Sequence, residues 1–575
     1  MAIYYVDPNW TGTKSGTFAQ PYDRYSGLPV LSAGDRVLLK EGTTHPGAYT
    51  AAQSGVSGNP IIFGVYRAAD GAEVTTTLGA AAIAGTGTAA DNFNTGSQSY
   101  IWLRCIEAKV VTAGRVGITL GSNVANTSGC RASYCRVNDQ PSATAGVQAR
   151  TNPGTDPHIV EFCESLRNAY GILVQGGTSG AAINLHDNVC QYNVEAGIRM
   201  ALSTAGLVTG SVKNNDCRFN GVTQASEGHG VGIDNVSDSS ALVISGNNCS
   251  DNYAIGIRGS CFSGLINAAV IDRNTCDRNG TFGIQISRGA GWKIRRNKCR
   301  YNGADRGNRY GRGIEIYSSS GSFPAGPGLV AGNDCSYNQN FGGTLNNGTE
   351  GVGIGLDDNH SGVLVFGNTC VGNEGNGIQF NPAGATGSSV VAGNLLVDNY
   401  NAPSSRVTAG WTANSRAQIA LFSSEANAKV RNNTCVLTKS DSACLYGISE
   451  ATSAAGAGVE VSNNLLVGFS AGIKARTGIT RQNNAYWNCR KAGESNADTT
   501  TLSDDTGALL LDPRIDSTYR PLESSPLRGA GAYVGDLLDN SGKRFRNPPC
   551  VGAFEYLKPR RVSCNDSDPW AGRRA

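Results

Sequence analysis

The chain has 575 residues, a formal net charge of +3, 16% charged residues and 76 glycines. Glycine is about twice as common as the usual ~7% but shows no three-residue period, which excludes collagen, and the charge content is too low for a disordered chain. Neither a nucleic-acid partner nor an anionic membrane surface is indicated by so small a net charge. No apolar run approaches the ~20 residues that span a bilayer.

The first part of the chain, residues 1–85, differs in pattern from the rest of the sequence and is predicted to cap one end of the fold. Its most regular segments are residues 4–8, 32–40 and 58–63. No basic segment followed by an apolar stretch opens the chain, so no Sec signal is expected. The 17 cysteines are an odd number, and without a signal we predict reduced thiols rather than disulfides.

A repeat occupies residues 86–490, which we predict to be the body of the fold. Its marker is the pair Asn-x-Cys, and leucine replaces the cysteine at Leu396 and Leu466. The marker cysteines are Cys190, Cys217, Cys249, Cys276, Cys299, Cys335, Cys370 and Cys435, with Cys105, Cys135 and Cys163 continuing the spacing upstream. An aliphatic residue stands five positions before each marker, another Asn follows three positions after most of them, and a Gly-Ile pair or a close variant comes next.

The internal pattern of each unit predicts three short strands joined by turns. An offset of five cannot keep the aliphatic residue and the cysteine on one face of a continuous strand, because the strand period is two. A turn must therefore separate them, and Asn tolerates the left-handed backbone of a tight turn. Repeated coils of three short strands predict an all-β fold, a parallel β-helix of about 12–14 coils with capped ends. The cysteines would stack inside it as small apolar side chains, and the asparagines would bond along the stack.

Long insertions interrupt the coils at one corner only. The spacing from the marker cysteine or leucine to the next Gly-Ile strand is seven residues in the short units, but much longer in four units between residues 217 and 418. Such loops would form a rim beside the Gly-Ile strands, and loops on a rigid scaffold commonly carry binding sites. Neutral insertions would give the same pattern.

The residues that alternate with the inward positions of the Gly-Ile strands are predicted to face solvent. Glu315 and Asp357 would then lie one coil and two residues apart, roughly 8 Å, which is within the ~6.5–9.5 Å of an inverting glycosidase. We therefore predict Glu315, Asp357 and the adjoining Asp358 as catalytic carboxylates. Exposed acids that merely solubilise the sheet are the alternative interpretation.

Other side chains near these coils are candidates for substrate binding. Arg with Tyr or His would also suit β-elimination of a uronic acid, in which Arg neutralises the carboxylate and a base removes the α-proton. No metal or other cofactor is expected, because five histidines are too few for a multi-His site and Asp357, Asp358 and Asn359 offer too few ligands for calcium. The predicted binding residues are Asp234, Arg258, Arg288, Arg312, Tyr317, His360, Gln379 and Trp411, and Trp292 is a further candidate for sugar stacking.

The end of the chain is predicted to form a closing segment, residues 491–556, followed by a short basic tail, residues 557–575. Together with the opening segments and the coils, the runs at 525–531 and 552–556 resemble the right-handed parallel β-helix superfamily, which includes pectate-lyase-like enzymes and phage tailspikes. The likeness covers about residues 3–556. It implies a right-handed coil and, from the tailspikes, a homotrimer. No catalytic motif of a named lyase family is matched, so no family's active residues are transferred.

Three functions are compatible with these features. The first is a viral tail appendage, located in the virion and assembled in the host cytoplasm, that binds and depolymerises a bacterial surface polysaccharide and contacts other tail proteins. Another is a structural or adhesive β-helix without enzymatic activity. The third is a polysaccharide lyase. None of them requires nucleic acid or membrane insertion. The sugar and the host cannot be derived from the sequence.

Overall fold

A computed structural model describes residues 1–556 with gaps. Outside the described part lie residues 85–90, 110–113, 123–125, 140–143, 152–155, 177–180, 203–206, 222–229, 237–238, 261–268, 304–310, 318–325, 341–350, 358–359, 361, 382–388, 402–415, 423–426, 440–443, 451–457, 476–478, 496–504, 534–538, 542 and 557–575. Within the described residues the chain is built from β-strands and one short 3-10 helix, Tyr25–Gly27.

The strands form three parallel sheets that run the length of the molecule. Sheet 1 has 16 described strands and contains the Gly-Ile segments. Its strands are Tyr49–Thr50, Phe93–Asn94, Val116–Leu120, Ala145–Thr151, Tyr170–Gly176, Ala196–Leu202, Val231–Asn235, Ile255–Ser260, Phe282–Ser287, Arg312–Tyr317, Val352–Asp357, Ile378–Asn381, Ala417–Leu421, Tyr446–Glu450, Ala471–Ala475 and Lys491–Ser495.

Sheet 2 has 19 described strands and carries the aliphatic residues that precede the marker cysteines. All its described pairings are parallel except that of Ile61–Tyr66 with Glu73–Val74. Its strands are Ile3–Val6, Arg36–Lys40, Ile61–Tyr66, Glu73–Val74, Ile101–Arg104, Arg131–Ser133, His158–Glu161, Ala181–His186, Val208–Lys213, Ser239–Ser245, Val270–Asp272, Lys293–Arg295, Gly328–Ala331, Val363–Phe366, Val390–Ala392, Lys429–Arg431, Glu460–Ser462, Thr480–Gln482 and Asp505–Thr506.

Sheet 3 contains the marker cysteines and has two parts, joined by single bridges through the coils between them. The first part comprises Thr44–Pro46, Ala81–Ala84, Ile106–Lys109, Arg136–Asn138, Glu164–Leu166 and Val189–Gln191, and the second comprises Thr369–Val371, Leu395–Val397, Thr434–Val436, Leu465–Val467 and Ala485–Trp487. Each strand pairs with its equivalent in the next coil. The fold is therefore the right-handed parallel β-helix predicted from the repeat.

The interior of the coil stack confirms the predicted cysteine column. Cys190, Cys276 and Cys335 are fully buried, and all the marker cysteines belong to one continuous hydrophobic core. Every described cysteine is a free thiol. Burial raises the pKa of the Cys335 and Cys370 thiols well above the usual value, which keeps them protonated and apolar in character.

Two columns of buried asparagines hold successive coils in register. In the column that precedes the cysteines, Asn274 donates through Nδ2 to Asn297 Oδ1 at 3.0 Å and to the carbonyl of Ile244 at 3.0 Å. Its own oxygen accepts the backbone N–H and the Nδ2 of Asn247, both at 2.9 Å. The same four bonds recur from coil to coil, so each amide is saturated by its neighbours.

The second asparagine column is preceded by residues with left-handed backbone, which the sequence pattern did not predict. Tyr192, Phe219 and Tyr337 have φ of 56°, 58° and 58°, although aromatic residues rarely adopt this conformation. The buried asparagine that follows each of them is bonded on both sides, and these bonds compensate for the backbone strain. The rings of Tyr192 and Phe219 stack with centroids 5.2 Å apart.

The closing segment folds back along the side of the coil stack. Asn540 Nδ2 donates to the carbonyls of Asn368 and Gly393 at 3.1 and 3.2 Å. Nearer the end of the stack, the Ala553 N–H donates to Thr434 Oγ1 at 2.8 Å. Leu527 and Val551 cover the outer face of sheet 3. The closing segment therefore ties together coils that are far apart in sequence.

Two buried histidines predict acid sensitivity of the fold. Burial lowers the pKa of His45 and of His158 to about 4. The side chains titrate near pH 6.5 in the unfolded state, so below that pH the unfolded state binds more protons than the folded state. The free energy of unfolding should therefore fall by roughly 3 kcal/mol per histidine as the pH drops from about 6.5 towards 4. The free energy of unfolding, measured with denaturant at pH 7 and 4.5 for the unmodified protein and for His158→Gln, tests this prediction. Equal pH dependence in both proteins would show that His158 does not contribute.

Candidate functional site

The outward positions of sheet 1 form two straight columns, as the sequence pattern predicted. In the first, Gln285 pairs with Glu315, Glu315 with Gly355, and Gly355 with Gln379. In the second, Ser287, Tyr317, Asp357 and Asn381 follow one another in successive coils. Glu315 and Asp357 are thus one coil and two residues apart, which confirms the predicted register.

Several of these outward side chains are buried, whereas the sequence analysis expected them to face solvent. The exposed fraction is 1% for Asp234, 7% for Glu315 and 0% for Gln379. The neighbouring binding candidate Arg312 is 2% exposed. Side chains in neighbouring coils pair with one another and so shield each other from water. The second column remains half-buried at Ser287, Tyr317 and Asp357.

Arg312 lies between the two predicted catalytic carboxylates. Its Nη1 atom donates to Glu315 Oε1 at 3.0 Å and to Asp357 Oδ2 at 2.5 Å. Because both bonds start from one nitrogen, the two oxygens are no farther apart than the two bond lengths laid end to end. This is shorter than the ~6.5–9.5 Å of an inverting glycosidase, so the structure does not show the gap that the sequence analysis expected for a water molecule.

Gly355 provides the space in which the Arg312 guanidinium lies. A Cβ atom at this position would be 2.6 Å from Arg312 Nη1 and 3.2 Å from its Cδ. Gly355 lies between Glu315 and Gln379 in the outward column, and no role was predicted for it. The signal was the absence of a side chain between Glu315 and Gln379, in a column where the neighbouring coils carry long polar residues.

The substitution Gly355→Ala should displace Arg312 and reduce any activity of the site. The added methyl group requires Nη1 to move by several tenths of an ångström away from both carboxylates, and misplacement of about 1 Å near a reacting group costs ~10²-fold in rate. We expect a loss of about 10- to 100-fold in turnover with little change in melting temperature. Ser260→Ala, in the second column three coils away, is the matched control, and equal turnover in both variants would contradict this role of Gly355.

The two carboxylates differ in how fully their oxygens are bonded. Glu315 receives Arg312 on Oε1 and Gln285 Nε2 on Oε2 at 2.9 Å. Asp357 Oδ2 is bonded to Arg312, whereas its Oδ1 is buried and has no hydrogen-bond partner among the residues that the structure describes. Leaving a buried acceptor unpaired costs about 1–3 kcal/mol. Glu315 is therefore held as a structural partner of Arg312, and Asp357 keeps one oxygen available for chemistry.

Tyr317 neighbours Asp357 in the second column. Partial burial, followed by the negative charge of Glu315, raises the pKa of the Tyr317 phenol, against the opposing effects of Ser287, Arg258 and Arg288. The phenol is therefore protonated at neutral pH. In this state it can donate a proton, whereas acting as a base would require a lowered pKa.

Asp234 and Arg258 form a separate, internally paired group farther along the first column. Asp234 accepts two bonds from Arg258, at 2.7 and 2.8 Å, and its Oδ2 lies 3.7 Å from Arg199 Nε. Arg199 also donates to the Tyr170 hydroxyl at 2.7 Å, and Tyr170 donates to Glu195. These charges compensate one another and stiffen this end of the polar surface.

Gln379 follows Gly355 in the first column and is fully buried. In the described part of the chain, neither its Oε1 nor its Nε2 has a hydrogen-bond partner. The residues on both sides of it, Gly355 and Ala420, are small. The structure thus brings Gln379 next to the Arg312 group with its amide unsatisfied, and its predicted role in binding stays a prediction.

The remaining predicted residues are distributed over different places. Arg288 follows the strand Phe282–Ser287, where its charge acts on Tyr317. His360 is fully buried with its ring centroid 5.7 Å from that of the core residue Phe380, away from the outward columns. Trp292 is also fully buried, so it presents no ring face to a sugar. Asp358 and Trp411 lie outside the described residues.

Among the described residues, no group of three or more His, Cys, Asp or Glu side chains has an arrangement that could hold a metal ion. In the same part of the chain, no helix has the length and apolar character needed to cross a bilayer.

Comparison with known proteins leaves the family of this chain open. No protein-family model matches it, and no curated protein matches its sequence. Among solved structures it is similar to a mannuronic acid specific polysaccharide family 6 lyase from human gut microbiota, with 15% identity over 89% of this chain and 92% of the other and a TM-score of 0.37. The PL6 family alginate lyase AlyGC has 12% identity over 84% and 76%, with a TM-score of 0.39. The GH136 lacto-N-biosidase of Eubacterium ramulus has 13% identity over 80% and 68%, with a TM-score of 0.29.

Proposed function

We propose that the Arg312, Glu315, Tyr317 and Asp357 group is the catalytic centre of a polysaccharide depolymerase. The observation that carries this proposal is the buried Asp357 Oδ1, which has no hydrogen-bond partner within the described ranges and lies next to a protonated phenol. Unsatisfied buried polar atoms are rare in folded proteins, and a catalytic role is one of the explanations for them. The outward columns extend through many coils at ~4.8 Å intervals, a spacing that suits a linear polymer better than a small molecule.

The roles follow from the bonding of each group. Asp357 is the reacting carboxylate, which activates water or attacks the anomeric carbon. Tyr317 is the proton donor to the leaving oxygen. Arg312 fixes Asp357 through Oδ2, and Glu315, with both oxygens bonded, fixes Arg312. Hydrolysis needs one group to supply a proton and another to assist the nucleophile, and this pair offers both.

Elimination is the second candidate reaction. The charges of Arg258 and Arg288 both reach the Tyr317 phenol. A uronic acid bound there would have its carboxylate neutralised by a guanidinium, which acidifies the α-proton for removal by Asp357. Tyr317 would again donate the proton to the leaving oxygen.

The direct test is to incubate the protein with purified capsule or lipopolysaccharide and to follow two products. New reducing ends without unsaturated-uronate absorbance would indicate hydrolysis, and both signals together would indicate elimination. If neither product forms while the protein still binds cells, the depolymerase proposal is wrong and the adhesive alternative is supported.

The location in a phage tail, contact with other tail proteins and the homotrimer remain part of this proposal, and their support is the resemblance of the opening, coil and closing segments to tailspikes. The mass of the protein in solution, measured by light scattering, tests the trimer. A monomer at micromolar concentration would contradict it.

A further inference from the structure

The net charge of +3 for the whole chain conceals a local concentration of cations on the side of the coil stack. Five of the eight residues from 293 to 300 are basic. Ile294, Asn297 and Cys299 point inward and are buried, so the alternation of the strands turns all five cations outward. We call them the basic row: Lys293, Arg295, Arg296, Lys298 and Arg300.

Acidic residues in the neighbouring coils neutralise only part of the basic row. Asp272 is shared by Arg296 at 2.6 Å, Arg273 at 3.3 Å and Arg295 at 4.0 Å, so one carboxylate serves three guanidiniums. Asp277 pairs with Arg300 at 2.7 Å.

The two lysines of the row remain unpaired. Lys293 and Lys298 are exposed and form no ion pair in the part of the chain that the structure describes. Arg273, in the adjacent coil, has a side chain that is 65% exposed. These three cations are therefore available to an anionic partner.

We propose that the basic row and Arg273 bind an anionic polysaccharide at a surface separate from the outward columns of sheet 1. The row lies on the strand Lys293–Arg295 of sheet 2 and the turn and bridge that come after it, so the inference holds whether or not the Asp357 group is catalytic. Guanidinium and ammonium groups bind carboxylate or phosphate groups through charge-assisted hydrogen bonds.

The surroundings of the row favour a polysaccharide over nucleic acid. Asp272, Asp277 and Asp334 lie beside it and would repel a duplex that carries one charge per ~1.7 Å, whereas a polymer with sparser charges can place them at the unpaired lysines. Tyr301 and Tyr337 are about 40% exposed, but they stack on each other at 5.2 Å and Tyr337 also lies against Gly372, so the ring faces on those sides are already covered and are closed to a base.

The experiment measures binding of the full-length protein to polygalacturonate by titration calorimetry, with neutral dextran as the uncharged comparison. We expect binding to polygalacturonate alone, with an affinity that falls steeply as salt is raised from about 50 to 300 mM. The triple variant Arg273→Ala, Lys293→Ala, Lys298→Ala should bind at least ~10-fold more weakly, and it should fold normally because the Arg296–Asp272 pair is kept.

The control is the triple variant Arg24→Ala, Arg67→Ala, Lys109→Ala, which removes the same charge from exposed cations far from the row. It should keep the affinity of the unmodified protein. Equal weakening in both triple variants, absence of polygalacturonate binding, or tighter binding of a DNA duplex of about 20 base pairs would each overturn the proposal.

Discussion

Asp357→Asn is expected to reduce depolymerisation by about 10²- to 10⁴-fold, the range that a positioned acid or base contributes. The amide keeps the size of the side chain and can still accept a bond from Arg312, but it cannot take up a proton or act as a nucleophile. Release of reducing ends or unsaturated products under saturating substrate is the measurement.

Two companion variants separate the roles of the neighbouring groups. Glu315→Gln should lose less activity than Asp357→Asn, because Glu315 acts on Asp357 only through Arg312. Asp251→Asn, on another face where Asp251 pairs with Arg278, should retain full activity. Full activity in both Asp357→Asn and Glu315→Gln would refute this site, even if the protein proves to be a depolymerase.

Asn274→Ala should cause a large loss of stability, as should the equivalent substitution in the other coils of this asparagine column. It removes four hydrogen bonds, although Asn297 Oδ1 still accepts the backbone N–H of residue 274 and Asn247 Nδ2 still donates to the carbonyl of Val212. At about 0.5–1.5 kcal/mol for each lost hydrogen bond, we expect the free energy of unfolding to fall by ~2–6 kcal/mol. Denaturant unfolding followed by circular dichroism measures it.

The matched control for Asn274→Ala is Asn248→Ala in the preceding coil. The side-chain oxygen of Asn248 is buried and has no hydrogen-bond partner in the part of the chain that the structure describes, so its removal breaks no bond seen along the stack. We expect a change within ~1 kcal/mol. Similar losses in the two variants would mean that the columns do not supply the stability ascribed to them.

The sequence alone was sufficient to predict the repeating part of the fold. The marker cysteines, the asparagines and the Gly-Ile pairs recur at positions that allow only one in-and-out assignment, and the structure confirms the buried thiols and the pairing of Glu315 with Gly355. Several positions went against expectation. His360 contacts the core residue Phe380. The side chains of Asp234, Glu315 and Gln379, expected to face solvent, are buried.

The features that could be predicted depend on local patterns that repeat in every coil, whereas the features that could not be predicted depend on side chains that are distant in sequence. By itself, the sequence determined the parallel β-helix, the contents of its interior and the register of its columns, because stacking repeats each local pattern every ~4.8 Å. Only the tertiary structure decided that the Arg312 guanidinium lies in the space beside Gly355 and donates hydrogen bonds to both Glu315 and Asp357. It also decided that one Asp357 oxygen has no hydrogen-bond partner among the described residues. That outcome depends on which long side chain fills a space between coils, and on competition among charges that are distant in sequence.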